Sequence, residues 1–299
     1  MKNLDLVNSF SNYLTEEAKD KKTVSVYKHI AFEFCEWLGS EDKVLSAKPI
    51  TIKDYITHLR HEKMLSAVTV NKYIAALKSL YIYVEDSGRL KLNPMIRIKR
   101  IAVSENFSED NKWLSYKEQD RFLAFAELEP NEWLRIRNAA IIDLMLYTGL
   151  RVQEVSDLIM EDISPEGKNI RIIIRDGKKA KYAVVKLVHK HANNLKKWMK
   201  LRKQSSKQIH IDSVYLFVSE RSDKLNVRSI HKFIQKYGML AGMESVSPHR
   251  FRHSFCKNLA RQGTPIEIIR RLARHEKIET TAIYIDPSGE ELIVALNKM

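Results

Sequence analysis

Residues 169–187, NIRIIIRDGKKAKYAVVKL, decide the fold class. Two runs rich in β-branched residues flank DGKK, which is the pattern of a β-hairpin with a polar turn. The chain on both sides reads as helix. Upstream, RNAAIIDLMLYTG at 137–149 is a strongly apolar helix stopped by Gly149. Before it, Ser115 and Glu118 have the spacing of a capping box at a helix start. Downstream, a helix is expected around 189–202, then the short apolar run VYLFVS at 214–219, then helices to the C-terminus. The second half is therefore a mostly α domain with a small sheet, an α+β arrangement.

The first ninety residues read differently, as four amphipathic helices. In YKHIAFEFCEWLG, Tyr27, Ile30, Ala31, Phe34, Trp37 and Leu38 recur at helical spacing, with Gly39 as the C-cap. Thr51 with Asp54 suggests a cap before Tyr55, Ile56 and Leu59. Val70, Tyr73, Ile74, Leu77, Leu80, Tyr81 and Val84 share a face that ends at Gly88, and Leu6, Phe10, Tyr13 and Leu14 suggest a shorter first helix. Between the halves, RLKLNPMIRIKRIAVSENFSEDNK contains Pro94 and loses periodicity, and its first half carries Arg97, Lys99 and Arg100. The expected organisation is a helical domain over 1–90, a basic interdomain linker over 91–112 and an α+β domain over 113–299 with a C-terminal tail. The chain is mainly α overall.

At 299 residues the chain is long enough for two cores, and its 44% apolar and 29% charged content is ordinary for a globular protein. Its charge is not ordinary. Fifty-one Lys and Arg against 37 Asp and Glu leave +14, a surplus suited to a polyanion, since each phosphate neutralised releases condensed counterions. Cys35 and Cys256 lie in apolar-periodic segments without a CxxC partner and read as reduced core residues. No apolar leader or membrane-length run occurs, so a cytoplasmic protein without a membrane partner is expected.

Several chemistries lack their motifs. GxxxxGK[ST], GxGxxG after a strand, HExxH and paired-cysteine zinc patterns are all missing from the sequence. SPHRFRHSF at 247–255 places His249 and His253 at i, i+4, a spacing that suits a metal. Arg250 and Arg252 would set positive charge beside that cation, so the cluster is better built for an anion such as phosphate. His249 and Arg252, three apart, can face one phosphate from one helix.

Four motifs in order carry a resemblance. They are TGLR at 148–151 with Glu154 following, the Gly-Lys turn of the hairpin, SPHxxRH at 247–253, and His275 followed by TTxxY ending at Tyr284. Together they resemble the tyrosine recombinase (phage integrase) family. The N-terminal helices, with Thr23 and Tyr27, are similar to that family's SAM-like core-binding domain, so the likeness covers nearly the whole chain. The resemblance implies the tyrosine recombinase fold: a four-helix core-binding domain and an α+β catalytic domain that grip opposite faces of a duplex.

It also implies a mechanism. Tyr284 matches the nucleophile that attacks a DNA phosphodiester, leaving a 3′-phosphotyrosyl link and a free 5′-hydroxyl. Arg151 and Arg252 match the two arginines on the non-bridging oxygens, where a planar fork serves better than a lysine. His249 matches a general acid/base, Lys178 the lysine that protonates the departing 5′-oxygen, and His275 a second histidine that bonds to or positions the phosphate. Glu154 matches a supporting acid. Lys179 stands where the family often has a second glycine, so Lys179 and Lys181 remain alternatives to Lys178. Arg274 stands where the family often has a glycine before the second histidine. His253 is expected to support the site and Arg250 to contact backbone or solvent.

No metal, ATP or other cofactor is implied. The implied partners are a double-stranded DNA recombination site and a homotetramer on two such sites, with room for an accessory protein. An Xer-like or transposon-encoded enzyme, acting in integration, excision or resolution, is favoured over a large phage integrase with an arm-binding domain. Leu292, Ile293 and Leu296 in the tail fall at helical spacing, a stripe that could pack on its own domain; the resemblance implies that it docks on a neighbouring protomer. The rivals are a type IB topoisomerase-like enzyme and a DNA-binding protein that has lost catalysis.

Overall fold

The computed structural model describes residues 5–90, 92–103, 113–176, 181–285 and 297. The chain divides into two compact units, Met1–Phe107 and Ser108–Met299.

In the first unit, α1 (Asp5–Glu16), α2 (Lys21–Leu38), α3 (Glu41–Leu45), α4 (Pro49–His61) and α5 (Ala67–Asp86) surround one apolar core. Four helices were expected; α3 is the addition, and five residues are too few to show a period. Asp20 starts α2 by accepting the backbone N–H groups of Lys22 and Thr23 at 3.1 and 3.0 Å. Gly39 ends it in the left-handed region at φ 85°, as the sequence indicates. The start of α4 differs from expectation. Pro49, pre-set in φ, takes the first helical position, and Thr51 accepts the Lys48 N–H at 3.3 Å from within the helix. Phe34 lies against Tyr55 with ring centroids 4.9 Å apart, beside buried Leu77 and Leu80.

The segment read as a basic linker begins as part of this unit. Met95 and Ile98 are buried in its core. The Asn71 side chain donates to the Ile101 carbonyl at 2.9 Å and accepts the Ile101 N–H at 2.8 Å. Most of 91–112 beyond that point lies outside the described residues.

The second unit is built on α7 (Glu132–Thr148), which follows α6 (Tyr116–Glu127). Ala140, Ile141, Ile142, Leu144, Met145 and Leu146 are all buried, together with the polar Arg137, Asn138 and Asp143, so α7 is enclosed around most of its circumference. Ser115 caps α6 through the expected box, with Glu118 Oε2 accepting the Ser115 N–H at 2.7 Å. After α8 (Val152–Asp157) comes a three-stranded antiparallel sheet: β1 (Ile163–Glu166), β2 (Asn169–Asp176) and β3 (Lys181–Leu187), in that order. The hairpin is present, with Ile172 opposite Val185 and Arg175 opposite Tyr182. The extra edge strand β1 carries Pro165, tolerated there because an edge strand has a free side, and the proline hid the strand in the sequence. Ile170, Ile172 and Ile174 turn into the core.

The helix expected from residue 189 begins later. A single 3-10 turn at His189–His191 precedes α9 (Asn193–Lys203). VYLFVS is no sheet strand; its Leu216, Phe217 and Val218 are core, held by the Leu216 N–H on the Leu158 carbonyl at 2.8 Å. Then follow α10 (Gln208–Ile211), α11 (Val227–Leu240), α12 (Pro248–Arg261), α13 (Ile266–Ala273) and α14 (Glu279–Ala282). Cys35 and Cys256 are free and buried. Among the described residues, no helix is long and apolar enough to cross a membrane.

Candidate active site

Pro248 sits at the first position of α12, so SPHRFRHSF is the opening of a helix. His249, Arg252, His253 and Cys256 then fall at spacings of three and four and form one stripe. The stripe runs from solvent into the protein. His249 is exposed, Arg252 is buried, and Cys256 is fully enclosed.

At the outer end stands Arg151, brought there by the stop of α7. Gly149 takes a left-handed conformation at φ 64°, and a Cβ on it would stand 2.5 Å from the Phe255 ring. Both facts require glycine. The turn leaves Arg151 as the residue before α8, with its side chain 44% exposed. Glu154, one turn on, folds back: its Oε2 accepts the Arg151 backbone N–H at 2.8 Å and its Oε1 accepts Arg151 Nη1 at 2.9 Å. Arg252 donates to the carbonyls of Gly149 and Ala273, so the glycine turn and the end of α13 hold its guanidinium.

The end of α13 contributes two more groups. Arg274 is left-handed at φ 56°, a conformation that costs a residue with a Cβ roughly 1–2 kcal/mol. Its Nη2 reaches the Glu154 carboxylate at 2.6 Å. His275 is buried, and its Nδ1 pairs with Thr281 Oγ1 at 2.9 Å.

At the inner end lies Tyr284, 1% exposed. Its hydroxyl pairs with His253 Nδ1 at 2.5 Å and lies within hydrogen-bonding reach of the Cys256 thiol. The His275 ring stacks over it at 6.2 Å between centroids. His253 was expected only to support the site; the structure puts it on the tyrosine hydroxyl. Its position four residues after His249 was the signal, since it puts both on one helix face. Arg250 meets backbone as expected, donating to the Trp113 carbonyl at 3.1 Å.

Electrostatics follow this layout. Burial, aided by the charges of Arg151 and Arg274, lowers Arg252 to about 10. Partial desolvation of its ring and then the Arg252, His231 and Arg151 charges lower His249, although the residue is exposed overall. The same kind of surroundings, burial first, push His275 down to about 4. Burial raises the Tyr284 phenol well above its usual value. On Glu154, burial acts to raise the pKa, and the Arg274 and Arg151 charges outweigh it.

The structure thus brings Arg151, His249, Arg252, His275 and Tyr284 together around α12. Lys178 and Lys179 lie outside the described residues, as does the Lys181 side chain. The tail stripe of Leu292, Ile293 and Leu296 also lies outside them. Among the described residues, no group of three or more His, Cys, Asp or Glu side chains is gathered as a metal site.

The chain is similar to known proteins over nearly its whole length. The chain is 29% identical to the TnP I resolvase of Bacillus thuringiensis, covering 97% of this chain and 98% of the relative. It is 26% identical to the tyrosine recombinase XerC of Thermodesulfovibrio yellowstonii over 98% of this chain and 95% of the relative. Its fold resembles the XerH site-specific recombinase bound to its difH substrate in a pre-cleavage complex, with a TM-score of 0.74, 19% identity, and 98% and 94% of the two chains covered. Residues 6–88 match the phage integrase N-terminal SAM-like domain and residues 112–291 match the phage integrase family, and so the chain belongs to the phage integrase family of tyrosine recombinases.

Proposed function

We propose that this site-specific DNA recombinase cleaves and rejoins duplex DNA through Tyr284. The carrying observation is that the Tyr284 hydroxyl is held by the same helix stripe that bears His249 and Arg252. The phenol oxygen forms a bond to the scissile phosphorus and the bond to the 5′-oxygen breaks. The phenol proton passes to a histidine. A lysine of the hairpin, Lys178 or its neighbours Lys179 and Lys181, gives a proton to the departing 5′-oxygen. A phenol with a reference pKa of about 10 is a weak nucleophile at neutral pH, and a histidine beside it supplies the missing base. His253 is the base on the hydroxyl in this conformation, and His249 is the base on the solvent side.

Arg151 and Arg252 stabilise the charge that develops on the non-bridging oxygens. Arg252 is pre-aimed by two backbone carbonyls, and Arg151 stands at the surface where a duplex arrives. Because Tyr284 is enclosed, it moves outward to meet the phosphate, and DNA binding supplies the energy for that move. The phosphotyrosyl link conserves the energy of the broken diester, so religation to another 5′-hydroxyl needs no external source.

Four protomers on two DNA sites, exchanging strands in pairs, fit this reading, as does a cytoplasmic location. The +14 charge supports tight, salt-sensitive DNA binding. The end-to-end likeness to a resolvase and to XerC favours recombination over a relaxation-only topoisomerase-like activity.

The test uses nicked duplexes drawn from DNA flanking the gene, resolved on a denaturing gel. A covalent protein–DNA band from the wild type and none from Tyr284→Phe is the expected result. A band from both removes Tyr284 as nucleophile. Footprinted binding with no band from either favours a catalytically silent DNA binder.

A further inference from the structure

The left-handed residue at the end of α13 is the unexplained feature of the site. A glycine adopts that conformation without strain, yet this chain has Arg274 there, with φ 56°. The side chain is not a solvated surface arginine. It is 14% exposed, its Nη2 lies 2.6 Å from Glu154 Oε2, and its Nε is buried with no hydrogen-bond partner. A side chain at a strained position, turned inward and incompletely paired, is present for what its charge does.

That charge converges with two others. Arg151 bonds to the opposite oxygen of Glu154 and reaches toward the Arg274 carbonyl at 3.4 Å. Arg252 is anchored one residue away, on the Ala273 carbonyl. Glu154 is the carboxylate that faces all three guanidiniums among the described residues. One carboxylate cannot neutralise three cations, and like charges this close repel unless an anion joins them.

We propose that Arg274 is a positioning residue for the cleavage reaction: by sharing Glu154 it keeps that carboxylate from neutralising Arg151, so the Arg151 fork remains available to the scissile phosphate. With glycine in its place, Glu154 would belong to Arg151 alone, and a fully paired guanidinium is a weaker partner for an incoming anion. The diester gains negative charge on its non-bridging oxygens as the fifth bond forms, so the effect falls on the chemical step more than on DNA affinity. This rests on the cleavage reading given above.

The experiment measures single-turnover adduct formation and DNA affinity for the wild type, Arg274→Gly, Arg274→Lys and Tyr284→Phe. Each is run on a normal duplex and on one with a neutral methylphosphonate at the scissile position. Arg274→Gly is the fold-friendly variant, since glycine accepts the left-handed backbone. On the normal duplex it is expected to slow adduct formation by about 10- to 100-fold with DNA affinity within about threefold of wild type. Arg274→Lys, which restores the charge, recovers part of the rate. On the methylphosphonate duplex the gap between Arg274→Gly and wild type shrinks, because the oxygen charge that the site answers has been removed.

Adduct formation by Arg274→Gly at the wild-type rate overturns the proposal. So does a defect of equal size on both duplexes, which would mark Arg274 as a packing residue. Absence of any Tyr284-dependent adduct from the wild type overturns the cleavage reading, and the Arg274 role with it.

Discussion

The two ends of the α12 stripe sit in opposite surroundings. At the outer end, His249 is exposed and Arg151 stands beside it at the surface. At the inner end, Tyr284 is enclosed by His253, Cys256, His275 and Thr281. The outer end is open to solvent, so a charged ligand can reach it directly. The inner end protects a phenol, raises its pKa and keeps it away from water. On the cleavage reading proposed above, Arg151 and His249 stand ready at the surface, whereas Arg252 and the tyrosine that reacts are held back. On that reading, burial shields Tyr284 from a stray phosphodiester until the outer end has engaged one.

The sharpest way to break this comparison is at the inner end. Tyr284→Phe keeps the ring in its pocket and removes only the oxygen, so adduct formation should fall by about 10⁴-fold or more while DNA affinity is retained. An adduct that persists would mean the enclosed tyrosine is not the reacting one.

At the outer end, Arg151→Lys keeps the charge and removes the fork. Cleavage is expected to drop by about 10²–10³-fold, measured as single-turnover adduct formation, with the melting temperature unchanged. An undiminished rate would show that the exposed end needs only charge.

The hinge between the two ends is Gly149, whose carbonyl anchors Arg252. Gly149→Ala meets both a left-handed backbone and the Phe255 ring, so it should destabilise the catalytic unit by about 2–4 kcal/mol. Denaturant unfolding of the variant checks this, and a loss well under that range would mean Phe255 moves aside freely.

The smallest expected effect is in pH. His249, although exposed overall, is held below the usual histidine value of 6.5 by partial desolvation of its ring and by its neighbouring cations. Its neutral form, the one that accepts a proton, therefore persists as pH falls through 6.5, and cleavage should decline only below that value. In a pH–rate profile, His249→Gln should flatten this acid limb. An acid limb centred at or above 6.5 would place the working base elsewhere on the stripe, with His253 the next candidate.

Much of this was legible in the sequence because it depends on local rules. The capping box at Ser115, the stops at Gly39 and Gly149, and the hairpin of 169–187 are short-range patterns, and each is found where its spacing puts it. Features that lack a local signature were not legible. Helix α3 is one turn long, and β1 contains a proline that only an edge position makes acceptable. Met95 and Ile98 lie in a stretch with no periodicity, so nothing short of the folded core shows that they pack into it.

The sequence by itself determined which residues are expected at the site and their order: two arginines, a lysine, two histidines and a tyrosine that match the motifs of one family. Helix periodicity adds only that His249, Arg252 and His253 share one face of a helix; the other members come from the resemblance. Tertiary structure alone decided which of them touch. The contacts of Tyr284 with His253, of Arg252 with Gly149 and Ala273, and of Arg274 with Glu154 span separations of 31, 103, 21 and 120 residues. The physical reason is that a charge or a phenol acquires its reactivity from burial and from the atoms facing it, and those are set by how the chain closes on itself.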